Sequence, residues 1–166
     1  DFGSIQPPQN AFLLNLGLES LHVRMQRHCE NGYAVAKYLK NHPKVSWVTY
    51  PGLEGDKYYD LAKKYMPNGT CGVVSFGVKG GRKAAEVFMK HLKLGSIETH
   101  VADSRTCCLH PASSTHRQMT DAELDAALVR RQRHGAAQRI DLLDKMALAD
   151  AADRRVATHL AQCLDV

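Results

Sequence analysis

The sequence predicts an α/β domain of the α+β-like kind: an open, largely antiparallel sheet of about four strands, helices mainly on one face, and a long helix leading in. Three observations carry that prediction. Short runs of β-branched and aromatic residues alternate with segments of helical period along residues 42–128. Some of those strand-like runs are close enough in the chain to pair antiparallel. An apolar stripe at steps of three and four runs from Leu14 to Leu39.

The elements follow in order. Asp1–Gln9 reads as an extended lead-in, with Pro7 and Pro8 suited to a helix start just after them. One helix is expected over Asn10–Asn41, with Asn10 as its cap. Its stripe is Leu14, Leu18, Leu21, Met25, Cys29, Gly32, Ala36 and Leu39. Such a helix is about 45 Å long, more than a small domain can cover, so it is expected to pack against something beyond this domain. His42-Pro43 ends it. Val45–Tyr50 reads as a strand, Pro51-Gly52 as a turn, and Tyr58–Tyr65 as a short helix stopped by Pro67-Asn68-Gly69. Gly72–Val78 reads as a buried strand, and Arg82–Leu92 as a helix with Ala85, Phe88, Met89 and Leu92 inward. Leu94–Ile97 and Thr106–Leu109 are short strands. Asp121–Leu128 is a helix capped by Thr120, with Glu123 three residues on. No internal repeat or low-complexity tract interrupts this order.

Composition excludes several classes. The 166 residues suffice for one domain with a core, and 44% hydrophobic with 23% charged residues argues against disorder. No apolar run is long enough to cross a bilayer, and Asp1-Phe2-Gly3-Ser4 has no signal-peptide pattern, so no membrane and a cytoplasmic location are expected. The missing initiator methionine suits a chain cut from something longer. The net charge of +5 is concentrated at Arg130, Arg131, Arg133 and Arg139. No aromatic residues interleave there, so a solvated basic segment is the reading, not a nucleic-acid site. Five cysteines, an odd number, argue against a disulfide framework and for reduced thiols. Adjacent Cys107 and Cys108 would face opposite sides of a strand.

Chemistry is sparse on this basis. Cys107, Cys108, His110 and His116 lack a zinc-type spacing, and His22 and His28, six apart, fall on different helix faces, so no metal is expected. Cys107 or Cys108 with His110 can be drawn as a nucleophile and base, but buried thiols in a core strand are the simpler reading. Neither a G-x-S-x-G elbow nor a phosphate loop is present.

Four segments add more. They are Pro8-Gln9-Asn10-Ala11-Phe12-Leu13-Leu14 with Gly17-Leu18-Glu19-Ser20-Leu21; Arg24-Met25-Gln26-Arg27-His28; Val48-Thr49-Tyr50-Pro51-Gly52-Leu53; and His110-Pro111-Ala112-Ser113-Ser114-Thr115-His116. In this order and spacing the chain resembles the Cys/Met-metabolism family of pyridoxal-phosphate enzymes. Lys93–Met119 is most similar to the O-acetylhomoserine sulfhydrylase branch. The resemblance covers roughly residues 1–128. It implies a fold-type-I enzyme, a homo-oligomer, of which this is the carboxy-terminal part. Residues 1–41 would be the lead-in and inter-domain helix, 42–128 the carboxy-terminal domain, and 129–166 a divergent tail.

The branch transfers an aminocarboxypropyl group from O-acetylhomoserine to sulfide or methanethiol. The resemblance places the Schiff-base lysine, the phosphate cradle and the ring-stacking aromatic upstream, so this chain would supply no catalytic or cofactor-binding residue. Its partners would be the amino-terminal cofactor domain or parent-enzyme subunits. The implied substrate-binding residue is Thr106, where the family has a serine near the substrate carboxylate. A threonine chosen for strand shape is an equal alternative. His110–His116 is implied to be structural. Other readings are a fragment of cystathionine γ-synthase or a γ-lyase, and a non-catalytic self-association module.

After Leu128 the chain departs from the pattern. The family continues with an Arg-Leu-Ser-Val-Gly segment whose arginine pairs with the substrate carboxylate. Codons allowed for His134–Arg139, read one base later, can spell Met-Val-Arg-Leu-Ser-Val, so a reading-frame shift is expected to have replaced that motif. The last family strand would then be lost, exposing a sheet edge. The segments Ile140–Met146 and Val156–Leu164 have helical character.

Overall fold

Proline fixes where the first helix begins. In the computed structural model Pro7 is the N-cap of α1, Pro8–Glu19, with Pro8 at its first position, where a missing N–H costs nothing. The structure describes residues 3–99, 105–120, 122–124, 138–141 and 162, the stretch 138–141 through its backbone alone. The long helix expected over Asn10–Asn41 is two helices. A break at Ser20 (φ −101°, ψ 0°) separates α1 from α2, Leu21–Lys40. Side chains close this junction. The Arg24 guanidinium donates to Gly17 O at 2.7 Å and to Ser20 Oγ at 3.1 Å, so it binds a carbonyl that the helix leaves unpaired at the break.

The strands are β1, Val45–Thr49; β2, Val73–Val78; β3, Ser96–Ile97; β4, Cys107–Leu109; and β5, Gln138–Asp141. They form one sheet in the order β1-β2-β5-β4-β3. Three neighbouring pairs are antiparallel and β3–β4 is parallel. Among the described residues the sheet therefore has five strands, not about four, and the expected loss of the last strand is overturned. β5 lies between β2 and β4 and leaves neither as an edge. The physical reason is that a ladder is made by backbone groups, so a segment without a family motif can still fill the gap. The helix expected from Ile140 is likewise corrected, since Ile140 and Asp141 are strand. Residues 142–146, the arginines at 130, 131 and 133, Cys163, and 156–164 except Gln162 lie outside the described residues.

Two more helices follow the prediction closely: α3, Tyr59–Tyr65, and α4, Gly81–Lys90. The turn into α4 needs Gly80 and Gly81, both with positive φ (97° and 64°), which a side chain would strain. Of the expected helix 121–128, residues 122–124 are described and helical, and Thr120 with Glu123 forms the capping box. Glu123 Oε2 accepts from Thr120 N at 2.8 Å, and Thr120 Oγ1 accepts from Glu123 N at 3.3 Å. The bond from Thr120 N, with a second from the Thr120 hydroxyl at 2.8 Å, holds the Glu123 carboxyl below its usual range.

The core lies between the sheet and α2 with α4. Alternate residues of β2, Val74, Phe76 and Val78, point into it. Val35, Ala36 and Leu39 of α2 and Ala85, Phe88 and Met89 of α4 close on them. Phe76 and Phe88 meet edge to face, with ring centroids 5.8 Å apart. Both helices thus cover one face, as the sequence predicts. Cys108 joins this core, while its neighbour Cys107 is equally buried.

Candidate functional site

Tyr50 organises a buried polar region that joins three segments of the fold. It immediately follows β1 and begins the turn Tyr50-Pro51-Gly52-Leu53, closed by Leu53 N donating to Tyr50 O at 3.0 Å. A Cβ at Gly52 would fall 2.7 Å from the Tyr50 ring, so the ring lies over its own turn. The turn is held from the far side by Asp56, whose carboxylate accepts from Tyr50 N at 3.0 Å and Tyr58 N at 2.9 Å. The buried Tyr50 hydroxyl lies 2.8 Å from Cys71 O and 3.2 Å from Cys29 O, and it donates its one proton between them. Burial pushes the phenol up to about 12, against 10.0 for a free tyrosine.

This arrangement joins α2 to the segment entering β2. The two backbones touch where they cross: a Cβ at Gly32 would meet Cys71 O at 2.7 Å, and one at Gly69 would meet Cys29 Sγ at 2.9 Å. Outside the crossing, an open cleft of about 1190 Å³ runs between α2 and α3. Met25, Cys29 and Tyr33 form one wall and Tyr59, Lys63 and Met66 the other. The Lys63 ammonium sits 4.4 Å from the Tyr59 ring centroid. Its hydrogen bond and attraction to Tyr59 hold it above the usual lysine range.

Thr106 is elsewhere. It immediately precedes β4, is half-buried, and accepts from Ser96 N through its carbonyl at 3.0 Å. Its methyl group is in van der Waals range of the position a Gly95 side chain would take. It does not line the cleft. The four segments singled out in the sequence are therefore not one site. Tyr50 and Met25 meet at the cleft, His110–His116 forms a second region beyond β4, and Thr106 stands before that strand, at its other end.

In that second region His110 is buried, with Nδ1 2.8 Å from Ser113 Oγ. Ser114 Oγ donates to His110 O at 2.7 Å. Pro111–Ser113 is a single 3-10 turn wrapped by these bonds. Arg82 of α4 reaches across to Ala112 O at 3.5 Å. Burial holds the imidazole below its ordinary range, only partly offset by Glu86. Its Nε2 is buried without a hydrogen-bond partner among the described residues, and Cys107 and Cys108 beside it are buried. Among the described residues no three His, Cys, Asp or Glu side chains converge as metal ligands. Among the described residues no helix is long and apolar enough to cross a membrane.

The residue that sequence reasoning missed is Tyr50. It appeared there only within a family segment. Its partners Cys29, Asp56 and Cys71 are 6 to 21 positions away, and no local pattern marks them. A glycine in mid-helix at Gly32 was the one available signal, since it marks close backbone approach.

Comparison with known proteins gives a consistent answer. The model of the family described as Cys/Met metabolism PLP-dependent enzyme matches residues 1–132. Homocysteine synthase of Schizosaccharomyces pombe is 45% identical over 152 residues, 92% of this chain and 35% of the relative. O-acetyl-L-homoserine sulfhydrylase of Leptospira meyeri is 44% identical over 74% of this chain and 28% of its own. A crystal structure from Campylobacter jejuni, described as that of an O-acetylhomoserine (thiol)-lyase with a pyridoxyl-lysine phosphate, superposes with a TM-score of 0.82. It is 32% identical and covers 100% of this chain, which covers 37% of it. The chain spans about a third of the length of these relatives.

Proposed function

The chain belongs to the family of Cys/Met metabolism PLP-dependent enzymes, and from that premise we propose that it is the carboxy-terminal part of an O-acetylhomoserine sulfhydrylase, inactive alone. The observation that carries this reading is the 45% identity over 92% of the chain to a homocysteine synthase of which it covers only 35%. In the parent, an aminocarboxypropyl group passes from O-acetylhomoserine to sulfide or methanethiol. Thr106 would sit near the substrate carboxylate.

The described residues do not fit the coenzyme. A Schiff-base lysine must present a neutral amine in a desolvated pocket. Every described lysine is exposed. Lys63, which lines the cleft, is shifted toward its charged form by Tyr59, the wrong direction for a nucleophile. The coenzyme would therefore be held by the two thirds of the parent that this chain does not cover.

The surface supports such a missing partner. α1 has no buried residue, and Phe12, Leu13, Leu14, Leu16 and Leu18 are exposed around its whole circumference. A helix apolar on all sides belongs inside a larger assembly. We assign the cofactor domain as its cover, with residues 1–41 bridging the two parts and 42–128 forming the smaller domain.

The test uses the chain with and without the amino-terminal portion of a related sulfhydrylase. Alone, with pyridoxal phosphate added, it should form no homocysteine from O-acetylhomoserine and sulfide. With the partner, activity should appear and α1 should become protected from hydrogen exchange. A borohydride-fixed coenzyme mapped to a lysine within these 166 residues overturns the proposal. One finding favours a second reading, a γ-lyase: L-methionine gamma-lyase of Fusobacterium nucleatum is 39% identical over 75% of the chain. Release of methanethiol from methionine by the reassembled protein, without use of O-acetylhomoserine, would select it.

A further inference from the structure

Two thiols lie at the crossing beneath Tyr50, and nothing in the proposed reaction uses them. Cys29 projects from α2 and Cys71 from the segment entering β2. Both are partly exposed and neither is in a disulfide. Their carbonyls lie within 3.2 Å of a single hydroxyl, that of Tyr50. Gly32 and Gly69 remove the two side chains that would otherwise hold these backbones apart. Cys29 Sγ rests against Gly69, two residues before Cys71, and also faces the solvent-filled cleft. Cys71 Sγ donates to Val73 O at 3.4 Å, a weak bond that a new covalent bond can replace.

We propose that Cys29 and Cys71 form a redox-sensitive pair that closes to a disulfide across the α2–β2 crossing when a peroxide reaches the cleft. The pair is set apart from the other described thiols by access. Cys107 and Cys108 are 2% exposed and, as strand neighbours, face opposite ways. The chemistry balances in two steps. The Cys29 thiol reacts with hydrogen peroxide to give a sulfenic acid and water. The Cys71 thiol then displaces the sulfenic oxygen as a second water, forming the sulfur–sulfur bond. Two thiol hydrogens and two electrons leave in all, and the peroxide accepts them. Burial raises the Cys29 thiol, as do Cys71 and Glu30, so the first step is slow and needs sustained oxidant. Closure would cross-link two segments far apart in sequence and fix the base of the cleft, raising the thermal midpoint of the folded chain. The inference is independent of the proposed enzyme identity.

The test treats the folded chain with hydrogen peroxide, blocks remaining thiols with iodoacetamide, and digests it without reductant. Expected is one intramolecular link between the tryptic peptides 28–37 and 65–79, reversed by dithiothreitol. Cys29→Ser and Cys71→Ser should each abolish the link and the rise in thermal midpoint. Should those variants fold poorly, the unmutated chain still decides. Alkylation of both Cys29 and Cys71 after oxidation of the folded protein, or a link that pairs either with another cysteine, overturns the proposal.

Discussion

α1 and the second half of α2 are built from the same materials and end in opposite environments. Both are rich in apolar residues, α1 on all sides and α2 at steps of three and four. Leu14 and Leu18 are each 59% exposed, whereas Ala36 and Leu39 are completely covered. The difference is not in the helices. The second half of α2 lies on β1 and β2, and the main neighbour of α1 among the described elements is α2 itself. Periodicity states that a face needs covering; it does not state that the cover belongs to the same polypeptide.

The largest effect expected from this contrast is at Leu39. Leu39→Ala should destabilise the isolated chain by about 2–5 kcal/mol, while Leu14→Ala should change it by less than about 0.5 kcal/mol. Urea unfolding measures both. Equal losses would mean that α1 is packed in solution, and the contrast would be gone. With the amino-terminal portion bound, Leu14→Ala should instead weaken association.

Two helix glycines give a smaller, signed effect. A methyl at Gly32 would meet the Cys71 carbonyl, which is backbone and cannot swing aside, so Gly32→Ala should cost about 1–3 kcal/mol. Gly17 has nothing within 4 Å of its Cβ position, and Gly17→Ala should stabilise α1 by up to about 1 kcal/mol. Circular dichroism during thermal unfolding would show the two variants moving in opposite directions. A loss at both positions would imply an unseen cover over α1.

The finest distinction is in pH. In the unfolded chain the Tyr50 phenol ionises near 10.0, and in the folded chain it keeps its proton to about 12. The folded state binds more protons in that interval, so stability is full below the lower value and falls as pH rises toward the upper one. Tyr50→Phe should remove that part of the alkaline decline while losing the bonds to Cys29 and Cys71. An unchanged alkaline profile in Tyr50→Phe would show that the phenol does not carry it.

What could be read in advance divides along the same line. Elements that repeat locally were legible: Val74, Phe76 and Val78 alternate, Ala85, Phe88 and Met89 share a helix face, and Thr120 with Glu123 marks a cap. The break at Ser20 was not, because nothing among Leu18, Glu19, Ser20 and Leu21 forbids a helix. It becomes visible only when Arg24 is seen binding Gly17 O. β5 was missed because its place depends on two strands that leave a gap for it, not on a motif of its own. Thr106, expected to open its strand, stands one residue before it; residues 100–104 beside it lie outside the described part, and its hydroxyl's role rests on the family likeness. Tyr50 was hidden for a different reason. Its hydroxyl answers to carbonyls from two other elements, and such convergence has no signature along the chain.

The strand order has a consequence for birth of the molecule on the ribosome. β5 is last in sequence among the described strands yet central in space. Until it emerges, the β1–β2 and β3–β4 pairs are separate ribbons, each with an unpaired rim of N–H and C=O groups. Nascent chains stalled before residue 138 should therefore lean on chaperones, or stick to one another, far more than chains released whole.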